Sequence, residues 1–283
     1  MGRSIVIRRL VPAAGLLAAL LFACAPTAIP VGGSGSAAQR VADLETVTPG
    51  VLAVAYRTDD KPASFIDNGE PAGLHVEVMR ALAARMGVQV TFVGTDFASA
   101  VPNVQNHRYD TTAMSVLVTD ERKQVVDFST PEVYAQSRLV SRKAAPVLTV
   151  AATKGKTVAI TRGSALIQIL QTLSPDVTIK EFPNIAASTT ALLAGQVDAL
   201  FTGTQTSTQL VTDHPEFTLG TDFVNSGLDA FPVAKDHPKL LAAINKALAS
   251  IMLDGTFTAL FHKWYPGEEI PQQLLKDYPG MKP

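Results

Sequence analysis

The chain has 283 residues, of which 47% are hydrophobic and 17% are charged, so it can form two lobes of ordinary domain size and is not a disordered protein. Its net charge of -1 argues against a nucleic-acid partner, because phosphate binding needs a clustered basic face. The single cysteine excludes internal disulfides and Cys-based zinc sites. The five histidines show no i, i+4 spacing, so we expect no metal or cofactor and place most of them at the surface or at helix ends.

Residues 1–24 are predicted to be an export signal. Arg3, Arg8 and Arg9 precede an apolar run over residues 10–22 that is too short to span a bilayer comfortably. Cys24 follows directly, as in a bacterial lipobox, where the cysteine becomes the lipid-bearing first residue of the mature protein. The alternative is an ordinary secretory signal cleaved among small residues. We therefore expect an exported protein, periplasmic or at the cell surface, with lipidation at Cys24.

Residues 25–46 are predicted to be a flexible tether, because Gly and Ser dominate residues 32–36. Folded sequence then begins near Val47 with an apolar run, residues 51–56, that suits a buried strand. Apolar residues at helical spacing between 76 and 86 predict a helix that ends at Gly87.

The same alternation of strands and helices continues along the chain. Strands are predicted at 88–92, 111–116, 158–160, 177–182 and 199–202, and helices through 101–104, at 164–173, 186–194 and 238–253, and up to residue 264. Such alternation favours an α/β fold with mainly parallel strands.

Two extended stretches, residues 136–141 and 228–233, are predicted to connect two lobes. The first lobe would comprise residues 47–137 and 230–283, and the second lobe residues 138–229. The segments 106–110 and 194–198 are similar, since each ends in Asp and lies between a predicted helix and a predicted strand. This echo favours two similar lobes.

Arg122 is the most informative single residue. Thr119 is a suitable N-cap, and Asp120 and Glu121 suit the positive end of a short helix, but Arg122 places a cation in the first turn. The helix dipole disfavours a cation there by about 0.3–1 kcal/mol. The guanidinium of Arg122 has a planar set of donors, and its unfavourable position suggests that it binds an anion. The alternative is that Arg122 is a solvated surface residue.

Catalytic motifs are not found. Residues 155–157, Gly-Lys-Thr, resemble the end of a P-loop, but the glycine required five positions earlier is replaced by Val150. No G-x-S-x-G elbow and no Cys/His nucleophile pair occur. We therefore predict a binding protein with no catalytic residue.

Ordered landmarks from about residue 47 to residue 266 carry a resemblance to a known family. They include Gly73-Leu74-His75-Val76-Glu77, Asp96-Phe97, Tyr109-Asp110, the segment 119–122, Val126-Asp127-Phe128-Ser129 with Pro131, Gly155-Lys156-Thr157-Val158, Gly163-Ser164, Gly195-Gln196-Val197-Asp198-Ala199, and Asp254-Gly255-Thr256 with Lys263-Trp264. In order and spacing they resemble the periplasmic solute-binding proteins of polar-amino-acid ABC importers. The resemblance implies the two-lobe periplasmic-binding-protein fold of type II, α/β, with two hinge strands.

The resemblance also implies a ligand site in the cleft. Arg122 matches the arginine that takes the ligand's carboxylate, the backbone at Gly163-Ser164 would assist it, and Phe97 would pack on the ligand. The predicted site consists of Arg57, Asp60, Phe97, Met114, Ser115, Leu117, Arg122, Thr161, Arg162, Gly163, Ser164, Ala165 and Gly203. The implied partners are a small-molecule ligand and an ABC permease, and we expect a monomer.

Departures from the family pattern bear on the ligand. Gly203 stands where amino-acid binders carry the acid that takes the α-ammonium, so the ammonium clamp is lost. Arg57 and Arg162 would then help Arg122 to favour an organic acid that lacks an amino group. Three alternatives remain: Arg57 and Arg162 point to solvent, Arg57 pairs with Asp59 or Asp60, or Asp60 replaces the missing acceptor.

A rival function is an enzyme similar to cyclohexadienyl dehydratase, which shares this fold and acts on a small cyclic carboxylate. Catalysis would need a positioned acid or base, and Asp60 is the one candidate that the sequence offers. The predicted function is therefore capture of a small carboxylate-bearing solute, an amino acid or related organic acid, for import.

Overall fold

The computed structural model describes residues 41 and 43–282. The predicted signal, Cys24 and residues 25–40 of the predicted tether lie outside the described residues. The first part of the described chain contains β1 (Val51–Tyr56), β2 (Asp59–Asp60), β3 (Ser64–Asp67), β4 (Glu70–Ala72), α1 (Leu74–Met86), β5 (Gln89–Gly94), α2 (Phe97–Gln105), β6 (Thr111–Ala113), α3 (Asp120–Val125) and β7 (Val126–Phe128).

The middle and final parts follow. The middle contains β8 (Val133–Arg142), a 3-10 turn at Ala151–Thr153, β9 (Thr157–Thr161), α4 (Leu166–Leu173), β10 (Thr178–Phe182), α5 (Ile185–Leu193), β11 (Ala199–Gly203), α6 (Thr204–Asp213), β12 (Phe217–Leu219) and β13 (Val224–Asp229). The final part contains β14 (Pro232–Ala234), α7 (Pro238–Leu253), α8 (Thr256–Trp264) and α9 (Gln272–Asp277).

The first lobe is built on a parallel sheet in the order β5-β1-β6. Helix α1 covers this sheet with its fully buried face, which includes Val76, Met79 and Leu82, and ends at Gly87 in the left-handed conformation, as predicted. The same core contains Ile244 and Leu248 of α7, so the end of the chain packs onto its beginning. Strand β14 pairs with β7, which also joins the final part of the chain to the first lobe.

The second lobe is built on a six-stranded sheet in the order β10-β9-β11-β8-β12, with β13 also paired to β8. Strands β9, β10 and β11 are parallel, as predicted, but β8 runs antiparallel to β11, β12 and β13. Three of the five pairings in this sheet are therefore antiparallel, because β8 runs opposite to the other five strands.

Strand β8 links the lobes. Its residues 133–137 pair with β13, and its residues 137–141 pair with β11. The predicted connections at 136–141 and 228–233 thus lie within β8 and across the end of β13. The lobe boundaries at 137/138 and 229/230 stay a prediction.

The predicted internal echo has a structural counterpart. In the first lobe, Asp110 accepts hydrogen bonds from the backbone N–H of Ala53 and Val47 at 2.6 and 2.7 Å, and its own N–H donates to the carbonyl of Ala53. In the second lobe, Asp198 accepts from the N–H of Thr157 at 2.8 Å and donates to the carbonyl of the same residue. Each aspartate therefore ties the return loop to the first parallel strand of its own lobe.

No single helix among residues 43–282 is long and apolar enough to cross a membrane. Helices α7 and α8 reach that length only together, and the chain bends by 77° between them. The apolar residues of α7 are accounted for by the first-lobe core, where Leu240, Ile244, Leu248 and Ile251 are fully buried.

Candidate functional site

A cavity lies between the two lobes, beyond the carboxyl ends of the parallel strands. Arg57 follows β1, Ser115 follows β6, Thr161 ends β9 and Gly203 ends β11, and all four line the cavity. This edge of an open α/β sheet is where ligands generally bind. The predicted site residues that line the cavity are Arg57, Asp60, Phe97, Ser115, Leu117, Arg122, Thr161, Ser164, Ala165 and Gly203.

The other three predicted residues do not line the cavity. Met114 is 1% exposed and is buried in a small core with Ala55, Ala100 and Val116, because alternate residues after β6 point to opposite sides. Arg162 is exposed. Gly163 contacts Arg122 through its backbone carbonyl.

Arg122 spans the cleft with its guanidinium. Thr119 caps α3 as predicted by accepting from the N–H of Arg122 at 3.2 Å. The Nη1 group donates to the carbonyl of Leu117 at 2.6 Å, and the Nη2 group donates to the carbonyl of Gly163 at 3.0 Å. A guanidinium has five N–H donors, so donors remain for an anion in the cavity. Burial lowers the pKa of Arg122, but arginine remains charged.

Phe97 lies between two cations. Its ring centroid is 5.6 Å from the guanidinium carbon of Arg122 and 5.8 Å from that of Arg57. Cations near an aromatic face are stabilised by the ring quadrupole. The ring therefore helps to position both guanidinium groups at the cavity wall.

Arg57 and Asp60 neutralise each other, as in the alternative in which Arg57 pairs with its neighbouring acids. Arg57 donates to Asp60 at 3.1 Å and to Asp59 at 3.4 Å, so it is not a free cation that selects anions. The second oxygen of Asp60 accepts from the hydroxyl of Thr206 at 2.7 Å. Both oxygens of Asp60 therefore already accept a hydrogen bond within the protein, and its role as a replacement acceptor for an ammonium group stays a prediction.

The sequence did not indicate a buried polar relay next to the cavity. Nε2 of His75 lies 2.8 Å from Oγ of Ser115, and Nδ1 lies 2.8 Å from Oε1 of Glu132. His75 lies at the start of α1, and His75 and Glu132 are 1% and 0% exposed. Burial disfavours the imidazolium, but the charge and hydrogen bond of Glu132 outweigh burial and raise the pKa of His75. The charged ring donates from both nitrogens.

Asp229, at the end of β13, is the second feature that sequence reasoning missed. It lines the cavity, is 1% exposed, and its Oδ1 has no hydrogen-bond partner among the described residues. Burial raises the pKa of Asp229 to about 7, with Glu132 raising it further and His75 and Arg122 opposing the rise. Its only sequence signal was its position in the predicted connection at 228–233.

Gly203 borders open space. A Cβ built on this residue would meet no atom within 4 Å, and its backbone has φ −54 and ψ 148, which any residue adopts. The family acid missing here would therefore have had room to enter the cavity.

The lobes touch at several points around the cavity. A Cβ added to Gly163 would lie 2.9 Å from Cα of Ala98 in the opposite lobe. Asp59 accepts from the N–H of Ala186, in the first turn of α5, at 2.9 Å. These contacts describe a closed cleft.

One cluster in the described part of the chain has the donor set for a metal ion. His107, Asp236 and His237 each present a ligand atom within 4.8 Å of the other two. The sequence argument considered only pairs on one helix, whereas these residues come from separate segments. None of the three residues lines the cavity, and the donor set suits a transition-metal cation.

Residues 52–267 match the model of the bacterial extracellular solute-binding proteins, family 3. The chain belongs to this family. Its members deliver solutes to importers, and the two-lobe fold described above is the type II periplasmic-binding fold.

Individual relatives agree with the family assignment. The chain is 32% identical over 221 residues to the probable amino-acid-binding protein YxeM of Bacillus subtilis (strain 168), covering 76% of this chain and 84% of the relative. Among solved structures, an ancestral arginine-binding protein bound to glutamine is 30% identical, with a TM-score of 0.74, and covers 78% of this chain and 100% of its own. The ancestral amino acid-binding protein AncCDT-1, a precursor of cyclohexadienyl dehydratase, is 27% identical with a TM-score of 0.70 and covers 76% and 96%.

Proposed function

We propose that this protein captures a small carboxylate-bearing solute, an amino acid or a related organic acid, and presents the closed form to an ABC permease. The guanidinium of Arg122 carries this proposal. It lies in the interlobe cavity with donors left after its bonds to Leu117 and Gly163. A partly buried guanidinium is suited to bidentate recognition of a carboxylate. The relatives that are named as amino-acid-binding proteins support the ligand class.

The position of Arg122 also supports a mechanism in which the two lobes close around the bound solute. Its Nη1 group is bonded within the first lobe and its Nη2 group to the second lobe, so a bound carboxylate would add to a contact that already joins the lobes. Hinged closure on a ligand is a common route to sequestration.

A ligand screen with two variants tests the proposal. The exported protein without residues 1–24 is heated with amino acids and organic acids, and ligands that bind only the folded state raise its melting temperature. Calorimetry then compares Arg122→Ala with Arg162→Ala, which removes an exposed arginine outside the cavity. We expect Arg122→Ala alone to abolish measurable binding. Equal losses in both variants, or no ligand at all, would refute the proposed function.

A dehydratase is the second candidate function. The relay from Glu132 through His75 to Ser115 supports it, because elimination of water from a cyclic carboxylate needs a group that protonates the leaving hydroxyl. The similarity to AncCDT-1 points to the same fold, although that protein is itself named as an amino-acid-binding protein. Incubation with prephenate and arogenate decides between the functions, since a binding protein leaves both unchanged.

We propose in addition that the mature protein is a monomer anchored by a lipid on Cys24, and that it is not an enzyme. The cysteine directly after the apolar segment supports the anchor. Labelling with radioactive palmitate in cells should mark the native protein and leave Cys24→Ser unlabelled. Light scattering of the tether-free protein should give the mass of one chain.

A further inference from the structure

We infer that Asp229 is the acceptor for a protonated amine on the solute, in place of the acid that Gly203 lacks. This inference rests on the proposed function and specifies the ligand class: a solute that carries both a carboxylate and an ammonium group. The carboxyl of Asp229 lines the cavity, is almost completely buried, and has an oxygen without a hydrogen-bond partner among residues 43–282.

An unpartnered buried oxygen is unfavourable unless something satisfies it. A buried acceptor that has lost its hydrogen bond to water destabilises the protein unless a donor replaces that water. Asp229 lines the cavity, so a solute held there lies next to this carboxyl. An ammonium group supplies both the donor and the opposite charge.

The other charged groups around the cavity already have partners. Arg57 is paired with Asp59 and Asp60, and the second oxygen of Asp60 holds Thr206. His75 is paired with Glu132 on one nitrogen and with Ser115 on the other. Asp229 is thus the carboxyl best placed to respond to a cation brought by the solute.

Arg122 and Asp229 form the two ends of a site for a zwitterion. Both side chains line the same cavity, so a single solute in that cavity can contact both. Loss of the family acid at Gly203 therefore moves the ammonium clamp to the end of β13 and does not abolish it.

The site also couples binding to proton release. Asp229 is faced by His75 from α1, Glu132 from the loop before β8, Arg122 from α3, Ser115 after β6, and Asp60 and Tyr265, which act on the same buried cluster. Since burial raises the pKa of Asp229 to about 7, a fraction of the carboxyl is protonated near neutral pH. An ammonium group stabilises the ionised form, so binding should expel that proton, and affinity should rise between pH 6 and pH 8.

Matched ligand pairs test the inference on the exported protein without residues 1–24. The pairs are L-alanine and L-lactate, L-glutamate and 2-hydroxyglutarate, L-arginine and its 2-hydroxy analogue, and L-phenylalanine and 3-phenyllactate. Each pair differs only in the amine. We expect the wild type to bind at least one amino acid about 10- to 100-fold more tightly than its hydroxy acid.

Asp229→Asn should remove that preference by weakening the amino acid while leaving the affinity of the hydroxy acid within about threefold. Asp213→Asn, an exposed carboxyl on α6, is the control and should change neither. Calorimetry of the wild type in two buffers of different ionisation enthalpy should show proton release at pH 7, a readout that needs no variant. In Asp229→Asn this release should be lost or reduced.

Three outcomes separate the claims. Binding of a hydroxy acid as tight as that of its amino acid, or an equal loss of both in Asp229→Asn, overturns the role of Asp229 and leaves the proposed function standing. Amino-acid binding without proton release also overturns that role. Failure of all eight compounds to bind overturns the proposed function itself, and this inference with it.

Discussion

The guanidinium of Arg122 donates a 3.0 Å hydrogen bond to the backbone carbonyl of Gly163, and so joins a helix of the first lobe to a loop of the second. The same group donates to Leu117 in its own lobe at 2.6 Å. A single side chain therefore contacts the cavity and also forms a hydrogen bond that depends on the distance between the lobes.

Arg122→Lys tests whether the fork geometry matters beyond its charge. Lysine keeps the cation but cannot donate to Leu117, Gly163 and a carboxylate from one planar group. We expect affinity for the best carboxylate ligand to fall about 10- to 100-fold, since charge-assisted hydrogen bonds contribute about 1.5–3 kcal/mol. Calorimetry measures the loss, and Arg162→Lys is the control. An unchanged affinity would show that Arg122 is not the carboxylate clamp.

Gly163→Ala should hinder closure of the cleft. The new Cβ would lie 2.9 Å from the backbone of Ala98, and φ +74 at this residue disfavours any side chain. Gly155→Ala is a matched control, because φ is +67 there but no atom lies within 4 Å of the Cβ. Both variants should lose about 1–2 kcal/mol of stability from backbone strain.

Only Gly163→Ala should also lose affinity, by about tenfold or more if closure contributes at least 1.4 kcal/mol. Small-angle scattering with ligand present should give a larger radius of gyration for this variant than for Gly155→Ala. Identical affinities in the two variants would mean that the contact between Gly163 and Ala98 is not needed for the bound state.

Local signals explain why much of the fold could be predicted. Helix α1 was predicted from apolar spacing and Gly87, and α7 at Pro238–Leu253 has the predicted bounds. The hairpin strands β2–β4 and helix α6 were not predicted. Helix α6 carries polar residues such as Gln205, Thr208 and Gln209 with few apolar ones, so no hydrophobic stripe marked it.

The site was predictable where a residue conflicted with its local surroundings. Arg122 stood out because a cation is unfavourable in the first turn of a helix. The sequence did not distinguish Asp229 in this way, because an isolated aspartate before a proline-containing segment resembles an ordinary loop residue. Its burial depends on pairing between β13 and β8, which are about 90 residues apart, and such long-range pairing cannot be derived from local periodicity.

Gly203→Asp should restore amine recognition when Asp229 is disabled. The backbone at Gly203 accepts a side chain and the space beside it is open, so the variant should fold, with stability equal to or up to about 1 kcal/mol above wild type. In the Asp229→Asn background, we expect it to recover at least part of the preference for amino acids over hydroxy acids. Gly203→Ala in the same background is the control, and recovery by alanine as well would exclude an effect of the carboxylate.

Asp229→Asn should change the pH dependence of folding in a defined window. In the folded protein burial raises the pKa of Asp229 from 3.8 to about 7, so between these values the folded state binds more protons than the unfolded state. The stability of the wild type therefore decreases as pH rises from about 4 to about 7 because of this group. His75 acts above that window: its pKa is raised, so its contribution is present below its usual 6.5 and is lost as pH rises through the folded value.

The asparagine variant removes the Asp229 contribution and leaves that of His75. Since each pKa unit corresponds to about 1.4 kcal/mol, we expect the variant to gain a few kcal/mol relative to wild type on going from pH 4 to pH 8, with at most about 4 kcal/mol. Urea denaturation without ligand at both pH values measures the difference, and Asp213→Asn serves as the exposed control. A stability difference between wild type and Asp229→Asn that is the same at pH 4 and pH 8 would mean that Asp229 does not titrate in this window. The same carboxyl would then be ionised throughout, and the proton release expected on binding an amine would have no source.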